Sequence, residues 1–95
     1  MDYILDAEKL QSAESAHPYL KEVLQFPDYY GNNLDALYEC LTDICEPGII
    51  RIQMLLPEGS DFYRRLLAVM RDAARENPRI EVREGRGYYV EARNV

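Results

Sequence analysis

A chain of 95 residues, 47% of them apolar and carrying a formal net charge of −6, has material for one folded domain that buries roughly 60 to 70% of its unfolded surface. That composition excludes a disordered polymer, and the acidity excludes the usual grip on a phosphate backbone, which needs clustered Lys and Arg to displace counterions. Nucleic acid is therefore not an expected ligand, whereas a basic protein is.

The charge is uneven. Residues 1 to 50 hold ten acids against Lys9 and Lys21, while residues 51 to 95 hold seven acids against nine arginines. No run of roughly eighteen apolar residues occurs and the chain opens Met1-Asp2 without a signal-like segment, so the expectation is a cytoplasmic protein with no membrane association. Cys40 and Cys45 lie five apart on one predicted helix, about 140° apart in direction, and are not expected to bridge.

Tyr3-Ile4-Leu5 reads as a short buried strand that ends at Asp6. Ser15 is positioned to cap a helix whose apolar residues Ala16, Tyr19, Leu20, Val23 and Leu24 keep helical spacing, with Pro18 in its first turn and Phe26-Pro27 at its end. Residues 29 to 32 form a loop in which Gly31 permits positive φ, and Asn32 or Asn33 caps a second helix from Leu34 to the Pro47-Gly48 stop. Residues 49 to 54 make the second strand and residues 57 to 60 a loop. A third helix starts after Ser60 or Asp61, with Phe62, Leu66, Val69, Met70 and Ala73 inward and Arg64, Arg65, Arg71 and Arg75 outward, and stops at Asn77-Pro78. Residues 80 to 84 alternate as a third strand, and Gly85-Arg86-Gly87 is a candidate turn into an antiparallel edge over residues 88 to 92. Strand, two helices, strand, helix, strand is the order of a small parallel α/β sheet with helices packed on it. All of residues 1–95 are expected to form that single domain.

Between Glu22 and Ile50 six acids occur without one Lys or Arg. On the second helix Asp35, Glu39, Thr42 and Glu46 fall within about 60° of one another, and Leu34, Leu37, Leu41, Ile44 and Cys45 fill a separate apolar sector. Carboxylates four apart repel by roughly 0.2 to 0.5 kcal/mol, so the row does not serve the helix that carries it. A solvated acidic surface is the bland explanation of such a row, and Tyr29 and Tyr38 taken singly are ordinary packing at a helix edge. Grouped, aromatic anchors beside charge partners describe a binding surface.

Catalytic chemistry is missing. His17 is the single histidine and reads as a surface residue near a cap; no zinc spacing, no nucleophile–base pair and no phosphate loop accompanies it. Asp35 and Glu39 are close enough to suggest a glycosidase pair, but adjacent carboxylates on an exposed helix have no asymmetry of environment to separate their pKa values. No catalytic residue, cofactor or metal is expected.

The segment Tyr29-Tyr30-Gly31-Asn32-Asn33-Leu34-Asp35-Ala36-Leu37, continuing through Cys40-Leu41-Thr42, resembles the signature of the barstar family, intracellular inhibitors of secreted bacterial ribonucleases. The resemblance is close over about residues 19 to 42, and element order fits over residues 1 to 84. It implies a three-stranded parallel α/β fold, an immunity-type inhibitor that is monomeric when free, and a ribonuclease partner. In that family the loop and second helix plug the ribonuclease active site, with carboxylates in the places of substrate phosphates. Carried over by position, the resemblance implies partner contacts for Tyr29, Asn33, Asp35, Tyr38, Glu39 and Thr42, extended by Asp72 and Glu76 on the third helix. Asp72 and Glu76 are equally readable as solvated charges paired with Arg75 or Arg79. Three positions depart from the family pattern: Glu39 stands where a central inhibitory aspartate is usual, Tyr38 where a tryptophan is, and Ile44 where another aromatic contact residue is. The departures at Glu39 and Ile44 leave open a second reading, a barstar-like interaction module whose basic partner is not a nuclease.

Overall fold

The computed structural model describes residues 2–54 and 59–86. Three strands, β1 (Asp2–Asp6), β2 (Gly48–Met54) and β3 (Ile80–Arg86), form one parallel sheet in that order. Helices α1 (Ala13–Leu24) and α2 (Leu34–Thr42) lie between the first two strands in the chain, and α3 (Asp61–Glu76) between the last two. This is the α/β fold of three parallel strands and three helices that the order of elements predicts.

Side chains alternate across the sheet. Leu5, Ile50 and Ile52 are fully buried and Ile80 nearly so, and the register that sets Leu5 beside Ile52 and Ile50 beside Val82 gathers them on one face. The helices supply the other half of the core through Leu20, Leu37, Leu41, Leu66 and Met70, all without accessible surface. The opposite sheet face carries the ion pairs Arg51–Asp2 and Arg83–Glu81 and Ile4, which is 56% exposed. Tyr3-Ile4-Leu5 is thus not a wholly buried strand. Parallel sheets usually read as continuous apolar runs because helices cover both faces; here one face meets water, and the alternation follows.

Local chemistry moved several boundaries. Ser12, not Ser15, caps α1, accepting from the backbone N–H of Ser15 at 3.3 Å, while the Ser15 hydroxyl donates back to the Lys9 carbonyl at 2.8 Å. The helix therefore starts a turn earlier, and Pro18 sits in its second turn, where it withholds one backbone donor. Asp6 caps a 3₁₀ turn over Ala7–Leu10 that periodicity did not announce. The left-handed residue of the loop before α2 is Asn32 (φ 56°) rather than Gly31; asparagine tolerates that region better than most residues, and Gly31 instead leaves room for the Asn33 side chain, 3.3 Å from where a Cβ would stand.

Helix α2 stops at Thr42 with Asp43 as its C-cap, a turn short of Pro47, so Glu46 is not on its face and Cys45 is exposed rather than part of an apolar sector. Helix α3 begins after Ser60, as expected. The Ser60 hydroxyl accepts from the N–H of Tyr63 and donates to the Gln11 carbonyl, tying two distant segments through one oxygen. Tyr63 rather than Phe62 is the buried aromatic of α3, its hydroxyl donating to the Glu84 carboxylate at 2.7 Å. Gly85 and Arg86 do not turn the chain; they extend β3 beside Gln53 and Met54. The antiparallel edge expected over residues 88 to 92 lies outside the described residues.

Candidate functional site

Asn33 adopts extended backbone angles, and its side-chain oxygen accepts from the N–H of Ala36 at 2.7 Å, satisfying one of the orphan donors of the α2 N-terminus. Its amide nitrogen donates to the Gly31 carbonyl at 3.2 Å, bracing the loop. Leu37 and Leu41 then bury fully, with Leu34 and Tyr38 packed at the core's margin. With those residues inward, the helical period turns Asp35, Glu39 and Thr42 outward within about 60° of one another. Asp35 and Glu39 are exposed, and no Lys or Arg among the described residues pairs with either. Thr42 is half-buried, its hydroxyl donating to the Glu39 carbonyl at 3.0 Å.

The loop places Tyr29 and Tyr30 on opposite sides. Tyr29 is 84% exposed while Tyr30 is buried against Phe26, ring centroids 4.9 Å apart. Tyr30 also meets His17 of α1, with 2.7 Å between its hydroxyl and Nδ1, and the imidazole packs edge-on to Phe62 of α3. His17 is therefore not a surface residue: it is 3% exposed and joins α1, α3 and the loop. Its i, i+3 relation to Leu20 was the available signal, outweighed by the polar residues around it.

Burial lowers the pKa of His17 from its ordinary value of 6.5 and pushes the Tyr30 hydroxyl up, the charge of Cys40 adding to the effect. Above about pH 6.5 His17 is neutral in both folded and unfolded chains. As the pH falls below that value the unfolded chain takes up the proton first, so stability drops through the window down to the lowered folded pKa. Denaturant titrations between pH 7 and pH 5 should show this decline, with a shallower one for His17→Gln; equal slopes would remove His17 as the cause.

At the far end of α2, Asn77 is 4% exposed and its amide donates to the carbonyls of Leu41 at 3.0 Å and Ile44 at 2.9 Å. Its oxygen accepts from the N–H of Arg79 at 3.1 Å. This clip brings the end of α3, with Glu76, alongside the end of α2. Glu76 is exposed. Asp72, one turn back, is engaged by Arg75 of its own helix, whereas no Lys or Arg among the described residues pairs with Glu76, so the two are not equivalent. In the sequence Asn77 marks only a helix stop, because a lone asparagine before proline gives no hint of contacts over thirty residues away.

Cys40 and Cys45 are both free thiols. Among the described residues no group of His, Cys, Asp or Glu has the arrangement to hold a metal ion, and no helix is long and apolar enough to cross a membrane.

Two comparisons bear on the chain. The family model described as Barstar (barnase inhibitor) matches residues 1–91. The "Putative ribonuclease inhibitor YrdF" of Bacillus subtilis (strain 168) is 54% identical over 39 residues, which are 41% of this chain and 43% of that protein, so the match spans less than half of either.

Proposed function

The chain belongs to the barstar family, and from that premise we propose that it inhibits a bacterial ribonuclease by covering the enzyme's cationic cleft with the loop before α2 and the outward ridge of α2. Asp35 and Glu39 supply oxygens where substrate phosphates would bind, Tyr29 lays an exposed ring beside them, and Tyr38, Asn33 and Thr42 border the contact. Glu76 and, more weakly, Asp72 extend the negative surface along α3. The observation that carries the reading is that Asp35 and Glu39 lie on one face and are left unpaired by the molecule's own nine arginines, as far as the described residues go. Carboxylates held this way are hydrated when free and ready to accept from Arg or Lys. The reading asks for no catalysis by this chain, and it has the protein act as a cytoplasmic monomer until it meets its target.

The test is RNA hydrolysis by barnase, the enzyme named in the family's description, and by any ribonuclease encoded beside this gene, with the protein added in excess. Loss of activity at a fixed stoichiometry is expected. Association should slow several-fold between about 0.01 and 0.15 M salt, as the Debye length shrinks from about 30 to 8 Å; a rate indifferent to salt would remove charge steering from the account. Full activity of every such enzyme would favour the second reading, a basic partner that is not a nuclease, which the departures at Glu39 and Ile44 motivate. Capture from the source cell on immobilised protein, with and without Asp35→Ala, would then identify it.

A further inference from the structure

A hollow of about 190 Å³ lies next to the acidic ridge, between the C-terminal ends of α1 and α2. Leu24 and Phe26, both nearly inaccessible, form its floor with the half-buried Ile44, and the exposed residues Tyr29 and Asp43 stand at its rim. Pockets for free small molecules run from about 300 to 1,000 Å³, so this one suits a single side chain better than a metabolite.

The lining is of two kinds. Its floor is hydrocarbon, which an apolar stem would cover, while its rim offers an aromatic face and a carboxylate, which attract a cation. Cys40, on the same wall, reports the local field: burial foremost, and then the charges of Asp43 and Glu39, raise the pKa of its thiol. No Lys or Arg among the described residues pairs with Asp43; Lys21, a turn before Leu24, is placed 3.8 Å from Asp28 instead.

We propose that this hollow receives one arginine or lysine side chain of the partner protein, its aliphatic stem on Leu24, Phe26 and Ile44 and its charged tip between the Tyr29 ring and the Asp43 carboxylate. A short polar residue would leave the floor wet, and a wholly apolar one would desolvate Asp43 without compensation. The hollow adjoins the ridge through Tyr29, so it fixes where a basic residue must stand on the partner relative to those that meet Asp35 and Glu39. It is thereby a specificity element of the surface proposed above, and it rests on that reading only for the source of the side chain.

The test uses the full chain and two small probes, N-acetyl-arginine amide and its neutral isostere N-acetyl-citrulline amide, followed by ¹⁵N–¹H spectra. Saturable shifts centred on Leu24, Tyr29 and Ile44 are expected with the arginine probe and not with citrulline. Asp43→Asn should weaken the arginine probe by about fivefold, the upper range for a solvent-exposed ion pair, and Ile44→Trp, which fills the hollow, should abolish binding. No shift at these residues, or equal shifts with both probes, would overturn the proposal. Ribonuclease inhibition is measured separately: if the wild-type protein inhibits and both variants inhibit as well as it does, the hollow is not part of the contact and the proposal fails while the inhibitor reading survives. If the wild-type protein inhibits nothing, the probe titration still decides whether the hollow takes a cation.

Discussion

Replacing Asp35 and Glu39 together by alanine should weaken binding to the target ribonuclease by at least three orders of magnitude and leave the fold of the free protein unchanged. Both carboxylates are exposed and without a cationic partner among the described residues, so folding gains little from them. Asp35 in the first turn of α2 favours the helix by about 0.3 to 1 kcal/mol, and the repulsion between two carboxylates four apart takes back roughly 0.2 to 0.5 kcal/mol. Binding changes their situation. In the proposed complex each would be desolvated against a cation, and removing one member of such a buried pair costs about 3 to 5 kcal/mol, since the cation left behind is then buried alone. At 1.4 kcal/mol per tenfold, either substitution alone is worth roughly two to three and a half orders of magnitude. The two will not add fully, because neighbouring carboxylates share cations. Inhibition constants for the single and double variants, beside circular dichroism melts, separate lost contact from lost structure. A double variant that inhibits like the wild type would end the proposal that the α2 ridge is the contact surface.

The largest effect on stability is expected at Asn77. Alanine there removes donors to the Leu41 and Ile44 carbonyls and the acceptor for the Arg79 N–H; the Leu41 carbonyl keeps the Ile44 N–H at 3.3 Å, so the loss is that of three bonds in a buried or half-buried setting. With about 1 kcal/mol for each net hydrogen bond, Asn77→Ala should cost about 3 kcal/mol. For a domain of this size that lowers Tm by roughly 12 to 24 °C. Asn77→Asp, nearly the same shape, should be at least as damaging at neutral pH, because it turns a carboxylate toward carbonyl oxygens. Thermal melts of both variants check this; an aspartate variant as stable as the wild type would show that shape, rather than donation, is what the site needs. Because the clip holds the stretch after Thr42 against α3, Asn77→Ala should also weaken inhibition at temperatures where the chain remains folded.

Much of the candidate site was legible because it is local. The helical period that makes Leu37 and Leu41 core residues forces Asp35 and Glu39 outward, and Asn33 caps its helix through a bond three residues away. The cap of α3 at Ser60 and the alternation of β3 are readable on the same grounds. Where sequence and structure differ, two local solutions compete. Ser12 and Ser15 are both good caps, and what separates them is the Ser15 hydroxyl's bond to Lys9, a contact with the preceding turn. Gly31 and Asn32 both accept positive φ, and the loop uses the asparagine. For the end of α2, Pro47 sets only an outer limit; the helix closes earlier, at Asp43, where Asn77 takes up the Leu41 and Ile44 carbonyls.

By itself the sequence determined the order of strands and helices, the acidic face of α2 and the family, because each of these is written in periodicity, caps or a contiguous motif. Tertiary structure alone decided that His17 is buried against Tyr30, that Tyr63 rather than Phe62 enters the core beside Glu84, and that Asn77 joins two helices. Those outcomes depend on which groups meet after distant segments pack, and a polar side chain is satisfied by whatever partner lies within about 3 Å in the fold, a quantity that no local pattern encodes.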